Sequence, residues 1–313
     1  MLRMPFLSAR RTIGTASAAV LLIALPASLA AAPAAPFAEL DTHYSYAQLA
    51  DLVTAAPVVL SVDIVRAVPL KGAEAQGVKP GDTRYYIEAA VQALIGGRAE
   101  LPATVRYLVD LPSDGHRPLK LKGVGAILLA APTSRPGELR LVGPRAQVPR
   151  TPENDAQVRA ILTAAGAPDA PPAIKGIAHA FHVAGTLPGE GETQIFLKTA
   201  DDRPISLSIL RRPGEQPRWA VALSELVDAS AAPPKPDSFL WYRLACGLPP
   251  RLPDNVLAGQ DPDDARIARE DYQTVLKGLG PCNGAYPHPR DQAPGTPAAQ
   301  NDESSTPTPR QSG

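Results

Sequence analysis

Apolar and polar positions change period several times along the chain, and each change marks an element. In "VVLSVDIVRAV" Val58, Leu60, Val62 and Ile64 fall on one face and Ser61 and Asp63 on the other, the period of two that a strand shows. "RYYIEAAVQALI" repeats the pattern through Tyr85, Ile87, Ala89 and Val91, and "ATVRYLVD", the continuously apolar "GAILLAAP" and "GELRLVGP" complete the group. The turns between them, "KPGD", "LPSDG" and "SRPGE", carry Gly and Pro, which punctuate strands. Ahead of these strands, "YSYAQLADLVTAAP" has the helical period: Ser45 suits a cap, Tyr46, Leu49, Leu52 and Val53 share a face, and Pro57 ends it.

About five short strands at this spacing predict an OB-like antiparallel barrel or sandwich over residues 45–150, with one N-terminal helix. The run through "ALIGG" into "LPATVRYLV" resembles the OB-like domains of netrin- and tissue-inhibitor-type modules over roughly residues 58–144. The chain lacks the cysteines of those modules, so the resemblance implies a fold and no activity.

A strongly marked helix follows in "TPENDAQVRAILTAAGAP": Thr151 as cap, Pro152 in the first turn, an apolar stripe at Val158, Ile161 and Leu162, and Gly166 at the end. Residues 151–168 are expected to bridge to a second antiparallel β domain over 169–232, built from "IKGIAHAFHVAG", "ETQIFLKT", "PISLSILRR" and "PRWAVAL". Two helices over 233–286, one opening at Pro236-Asp237 and one at Asp261-Pro262, would pack on that sheet. Residues 287–313 have no apolar periodicity to bury and are expected to be disordered. The fold class is α+β, mainly β, the second β domain capped by a disulfide-linked helical pair.

The first thirty residues combine Arg3, Arg10 and Arg11, an apolar centre at Ala18 to Leu25 and small residues approaching Ala30, the plan of a secretory signal. The apolar run is short of the about 20 residues of a membrane span. The expectation is a signal over 1–30, a linker over 31–44, and a soluble periplasmic or secreted product. The chain holds 31 basic and 31 acidic residues. Losing the three arginines leaves a net charge of about −3, without the basic excess that nucleic-acid binding calls for. Proline, 36 of 313, is roughly twice its usual 5% share and favours many short elements.

Candidate chemistry is sparse. "HAFH" places His179 and His182 three apart, the one pair that suggests a metal. On a strand they point to opposite faces, and no third ligand offers itself, so no metal or cofactor is expected. Ser224 before Glu225 reads as a helix cap, Asp63 as an acid on a strand's polar face, and no nucleophile elbow or phosphate loop is present. Tyr85, Tyr86 and Tyr107 could form a stacking platform for a sugar or base, although core packing explains them more simply.

Cys246 and Cys282 are the only cysteines. Their spacing is that of neither a redox motif nor a zinc knuckle, and export favours a disulfide. "WYRLACGLPPRLP" with "DYQTVLKGLGPC" resembles an end piece of uncharacterised secreted proteins of alphaproteobacteria, which implies no activity. Together these features imply a non-catalytic binding or envelope-associated module without catalytic residues, a protein or envelope partner being left open. The alternative is a metal-dependent or other hydrolase that assembles His179 or His182 with Asp63 and Glu225.

Overall fold

Ser45 starts helix α1 (Tyr46–Ala55) through a reciprocal cap: its hydroxyl accepts from the Gln48 N–H, and the Gln48 side chain accepts from the Ser45 N–H. The computed structural model describes residues 43–113, 118–224 and 231–291, which leaves the expected signal, Glu225 and most of the expected tail outside. After α1 come β1 (Val58–Pro69), β2 (Asp82–Gly97), β3 (Thr104–Pro112), β4 (Gly125–Pro132), β5 (Leu139–Leu141) and β6 (Gln147–Pro149). They pair antiparallel in the order β3-β2-β1-β4-β5, and β6 also pairs with β4. The sheet is open. β3 meets the chain entering β5 only at one parallel bridge, Arg106 with Glu138, where the Arg106 N–H donates to the Gly137 carbonyl at 2.8 Å.

Alternation explains one core and helix packing a second. Val58, Leu60, Val62 and Ile64 of β1 join Tyr85, Ile87, Val105, Tyr107 and Leu139 on one face. On the other face Val59, Ile127 and Leu129 meet α1 and helix α2 (Pro152–Gly166). The apolar run of β4 thus has a reason on each face: Ala126, Leu128 and Ala130 fill the first core, Ile127 and Leu129 the second. Burying such a leucine contributes about 1.5–3 kcal/mol. The cap on α2 is Thr151, whose hydroxyl accepts from the Asn154 N–H. This helix does more than bridge, since Val158 and Ile161 are part of the second core.

The second sheet is a meander of β7 (Ile174–Ala184), β8 (Gly191–Thr199), β9 (Ile205–Arg211) and β10 (Arg218–Ala222), in the order β10-β9-β8-β7. Helix α3 (Phe239–Gly247) and helix α4 (Pro262–Leu279) follow. Tyr272, Val275, Leu276 and Leu279 of α4 pack on this sheet with Leu244 and Ala245 of α3. Phe239, Tyr242 and Cys246, on the other side of α3, belong instead to the α1 cluster. The helical pair is therefore not simply a lid on the second sheet: α3, apolar nearly all round, has a core on each side. Its cap is Ser238, one position past the expected start, because Asp237 adopts a left-handed φ of 55°. Gly280, at φ 70°, ends α4 with its N–H on the carbonyls of Leu276 and Lys277.

Cys246 and Cys282 are joined, with Cα atoms 5.0 Å apart. The stretch expected to be disordered from residue 287 is held through residue 291. Arg290 donates to the carbonyls of Ala245 and Leu276, and His288 meets Asp51. Polar contacts hold this stretch, and apolar periodicity does not register them. The described residues all belong to one compact unit, and none of their helices is long and apolar enough to cross a membrane.

Candidate functional site

Where β3 and β5 separate beyond their single bridge, a cleft of about 640 Å³ opens. Strict alternation along β3 turns Val105, Tyr107 and Val109 inward and leaves Arg106, Leu108 and Asp110 outside. Arg106 and Leu108 form one wall with Tyr86 of β2; Arg135 and Glu138 of the β4–β5 connection and Arg140 of β5 form the other. Past Leu108 and Leu141 a second cleft of about 450 Å³ reaches Gly77 and Lys79 of the β1–β2 connection and Gly143 to Arg145. Both volumes lie in the range of ligand sites.

The charge of these walls departs from that of the chain. The first cleft sets Arg106, Arg135 and Arg140 against Glu138 alone. The second sets Lys79, Arg84 and Arg145 against Asp82 and Asp110, and Arg84 is spent on Asp110 in a two-pronged pair at 2.7 and 2.8 Å. Both are net positive on a chain whose formal charge is zero. Arg135 leans on Glu138 at 3.3 Å, and Arg106 reaches only the Pro136 carbonyl, at 3.4 Å. Among the described residues the Arg140 side chain has no partner. Leu108 between them is 49% exposed.

Of the three tyrosines, Tyr86 and Tyr107 border the cleft, and only Tyr86 is more than marginally exposed. Tyr85 and Tyr107 are core: the Tyr85 hydroxyl accepts from the Leu119 N–H, and the Tyr107 hydroxyl donates to Gln147 Oε1 at 2.7 Å. Burial pushes the Tyr107 phenol well above its ordinary value. A three-ring platform is thus not formed, because alternation sends Tyr85 inward when Tyr86 faces out.

The histidines of "HAFH" part as strand geometry requires. His179 is exposed beside the Phe181 ring, 5.8 Å between centroids, while His182 is buried. His182 Nδ1 lies 2.9 Å from Thr193 Oγ1, which donates to Asp271 Oδ2 at 2.5 Å; Arg211 Nε donates to Asp271 Oδ1 at 2.7 Å. The single hydroxyl proton of Thr193 goes to Asp271, so Nδ1 is the nitrogen that donates to Thr193. Burial raises the Asp271 pKa, opposed by the bonds from Thr193 and Arg211. Thr193 and Asp271 have no exposed surface, and Gly191 lies against the ring: a Cβ there would sit 2.5 Å from His182 Cε1. The network ties α4 to the sheet.

Asp63 is in the other sheet, paired with Arg150 at 2.5 Å. The fold does not bring it to His182, and Glu225 lies outside the described residues. Among the described residues, neither histidine of the motif enters a group of three ligand-type atoms. Such a group is formed by Cys246, Cys282 and His288, within 4.8 Å of one another, but its two sulfurs are bonded together and offer no thiolate to a metal. Motif and spacing single out neither Asp271 nor Asp51. Asp271 falls on the apolar stripe of Ala268, Tyr272 and Val275, and Asp51 lies among Ala50, Leu52 and Val53. An acid on a helix's buried face is the signal that marks both.

No family model and no curated protein matches the chain.

Proposed function

We propose that the protein is an exported, non-catalytic binding module that holds an extended anionic ligand in the cleft across β2, β3 and β5. The observation that carries this reading is a net-positive cleft with an unpartnered arginine and an exposed leucine on a chain that is neutral overall. An OB-like identity draws support from the strand order, from the parallel approach of β3 to the β5 strand, and from the cleft's position between the β1–β2 and β4–β5 connections. OB-folds bind oligomeric ligands on that face. Export draws support from the N-terminal charge and hydropathy pattern and from the disulfide.

Titration of the full chain with polyglutamate and a sulfated oligosaccharide tests the reading. Binding is expected to weaken with salt, because exposed charges act over about 10 Å at 0.1 M, and to fall in an Arg140→Glu variant. Equal and salt-independent affinity for neutral polymers would overturn it. The alternative is a hydrolase assembled from distant residues; its candidate set would be His182, Thr193 and Asp271, of which Thr193 and Asp271 have no exposed surface. A hydrolytic activity lost in a folded Thr193→Val variant would establish it instead.

A further inference from the structure

The cleft has a backbone as well as a charge. The N–H of Arg106 points away from β2, to Gly137, and in a strand the residues two and four further on direct their N–H and C=O groups to the same edge. Leu108 and Asp110 therefore turn their main-chain groups toward the opening, where the pairing with the β5 chain has stopped. Unpaired strand edges are templates for another strand.

Resting on the binding reading above, we propose that the ligand is a protein segment: an extended acidic peptide that adds to the free edge of β3. Three features of the cleft fit this occupant together. Beyond the bridged Arg106, the edge from Leu108 to Asp110 offers main-chain donors and acceptors over about 7 Å, at roughly 3.3 Å per residue. Arg106, Arg135 and Arg140 border it and complement carboxylates at alternate positions. Leu108, 49% exposed between them, offers an apolar contact to the intervening side chains. A sugar or polyphosphate would use the arginines and leave the leucine and the edge amides unused.

The full chain would be titrated with a Glu/Val-alternating peptide of about six residues, a common strand length, with the same peptide N-methylated at alternate amides, and with a sulfated oligosaccharide. The expected result is binding of the first peptide, a loss of about tenfold on N-methylation as edge hydrogen bonds disappear, and slowed hydrogen exchange at Leu108 and Asp110. An Arg140→Glu variant, altered at an exposed side chain, should also bind at least about tenfold more weakly. Equal affinity of the N-methylated peptide would overturn strand addition. So would binding of the oligosaccharide without the peptide, which leaves the anion-binding reading standing. Failure of every probe at low salt would sink both. Protection of the same amides by self-association alone would make a second copy the occupant and overturn the acidic peptide.

Discussion

Asp51 of α1 and His288, 237 residues later, lie 2.8 Å apart between Oδ2 and Nε2. The same carboxylate accepts from the Tyr242 hydroxyl at 2.8 Å and from the Ala285 N–H at 2.7 Å. One buried acid thus joins the first described helix, α3 and the last described segment. Replacing Asp51 by Ala strands the Ala285 amide and leaves the Tyr242 hydroxyl only Thr54 Oγ1, at 3.5 Å. It should cost about 3 kcal/mol, read as a lower denaturant midpoint with the slope unchanged, and protease sensitivity should rise first in residues 283–291.

The disulfide should act on the same segment. A bridge closing 36 positions contributes about 4 kcal/mol on the loop-entropy model, a large part of a typical margin of about 5–15 kcal/mol. With a dithiol reductant present, hydrogen exchange is expected to speed up in the residues after Cys282 before either sheet responds. Simultaneous loss of protection throughout would contradict this order.

Asp271 predicts a pH dependence of definite sign. Burial raises its native pKa above the ordinary value of about 3.9, so between these two values the native state holds the proton more firmly than the unfolded chain. By linkage this group's contribution is fully present below the ordinary value and is lost as pH rises through the native one. An Asp271→Asn variant should flatten that slope, measured as urea midpoints across the mildly acidic range; an unchanged slope would show that another group carries it.

Gly125 makes room for Arg150. A Cβ at position 125 would lie 2.6 Å from Nη2 and 2.7 Å from Nε of that side chain, which donates to Ser61 Oγ and Asp63 Oδ1. Gly125→Ala should therefore displace the guanidinium and cost about 1–3 kcal/mol through overpacking. Arg150→Ala should cost less, since the Asp63 pair is partly exposed and such pairs are worth roughly 0–1 kcal/mol. Thermal unfolding of both variants gives the comparison.

Much of the fold was legible. Thr151-Pro152, Asp261-Pro262 and Gly280 mark helix ends through local backbone chemistry, and the β7–β10 pattern predicts the strands observed. Less was legible where length or context rules. β6, three residues in "AQVPR", is too short to show a period, and its pairing with β4 depends on the neighbouring strand.

Period, caps, turns and the two lone cysteines thus belong to the sequence itself, because each depends on a residue and its near neighbours. Which acids are buried, which tyrosine faces out, where β3 loses its partner and what α3 packs against were decided only in three dimensions. Asp51 with His288, Thr193 with Asp271 and Arg106 with Glu138 are pairs separated by many residues, and their meeting depends on how the sheets and helices close on one another. The cleft exists for the same reason: it is the place where two strand edges fail to meet, a relation that neither edge carries alone.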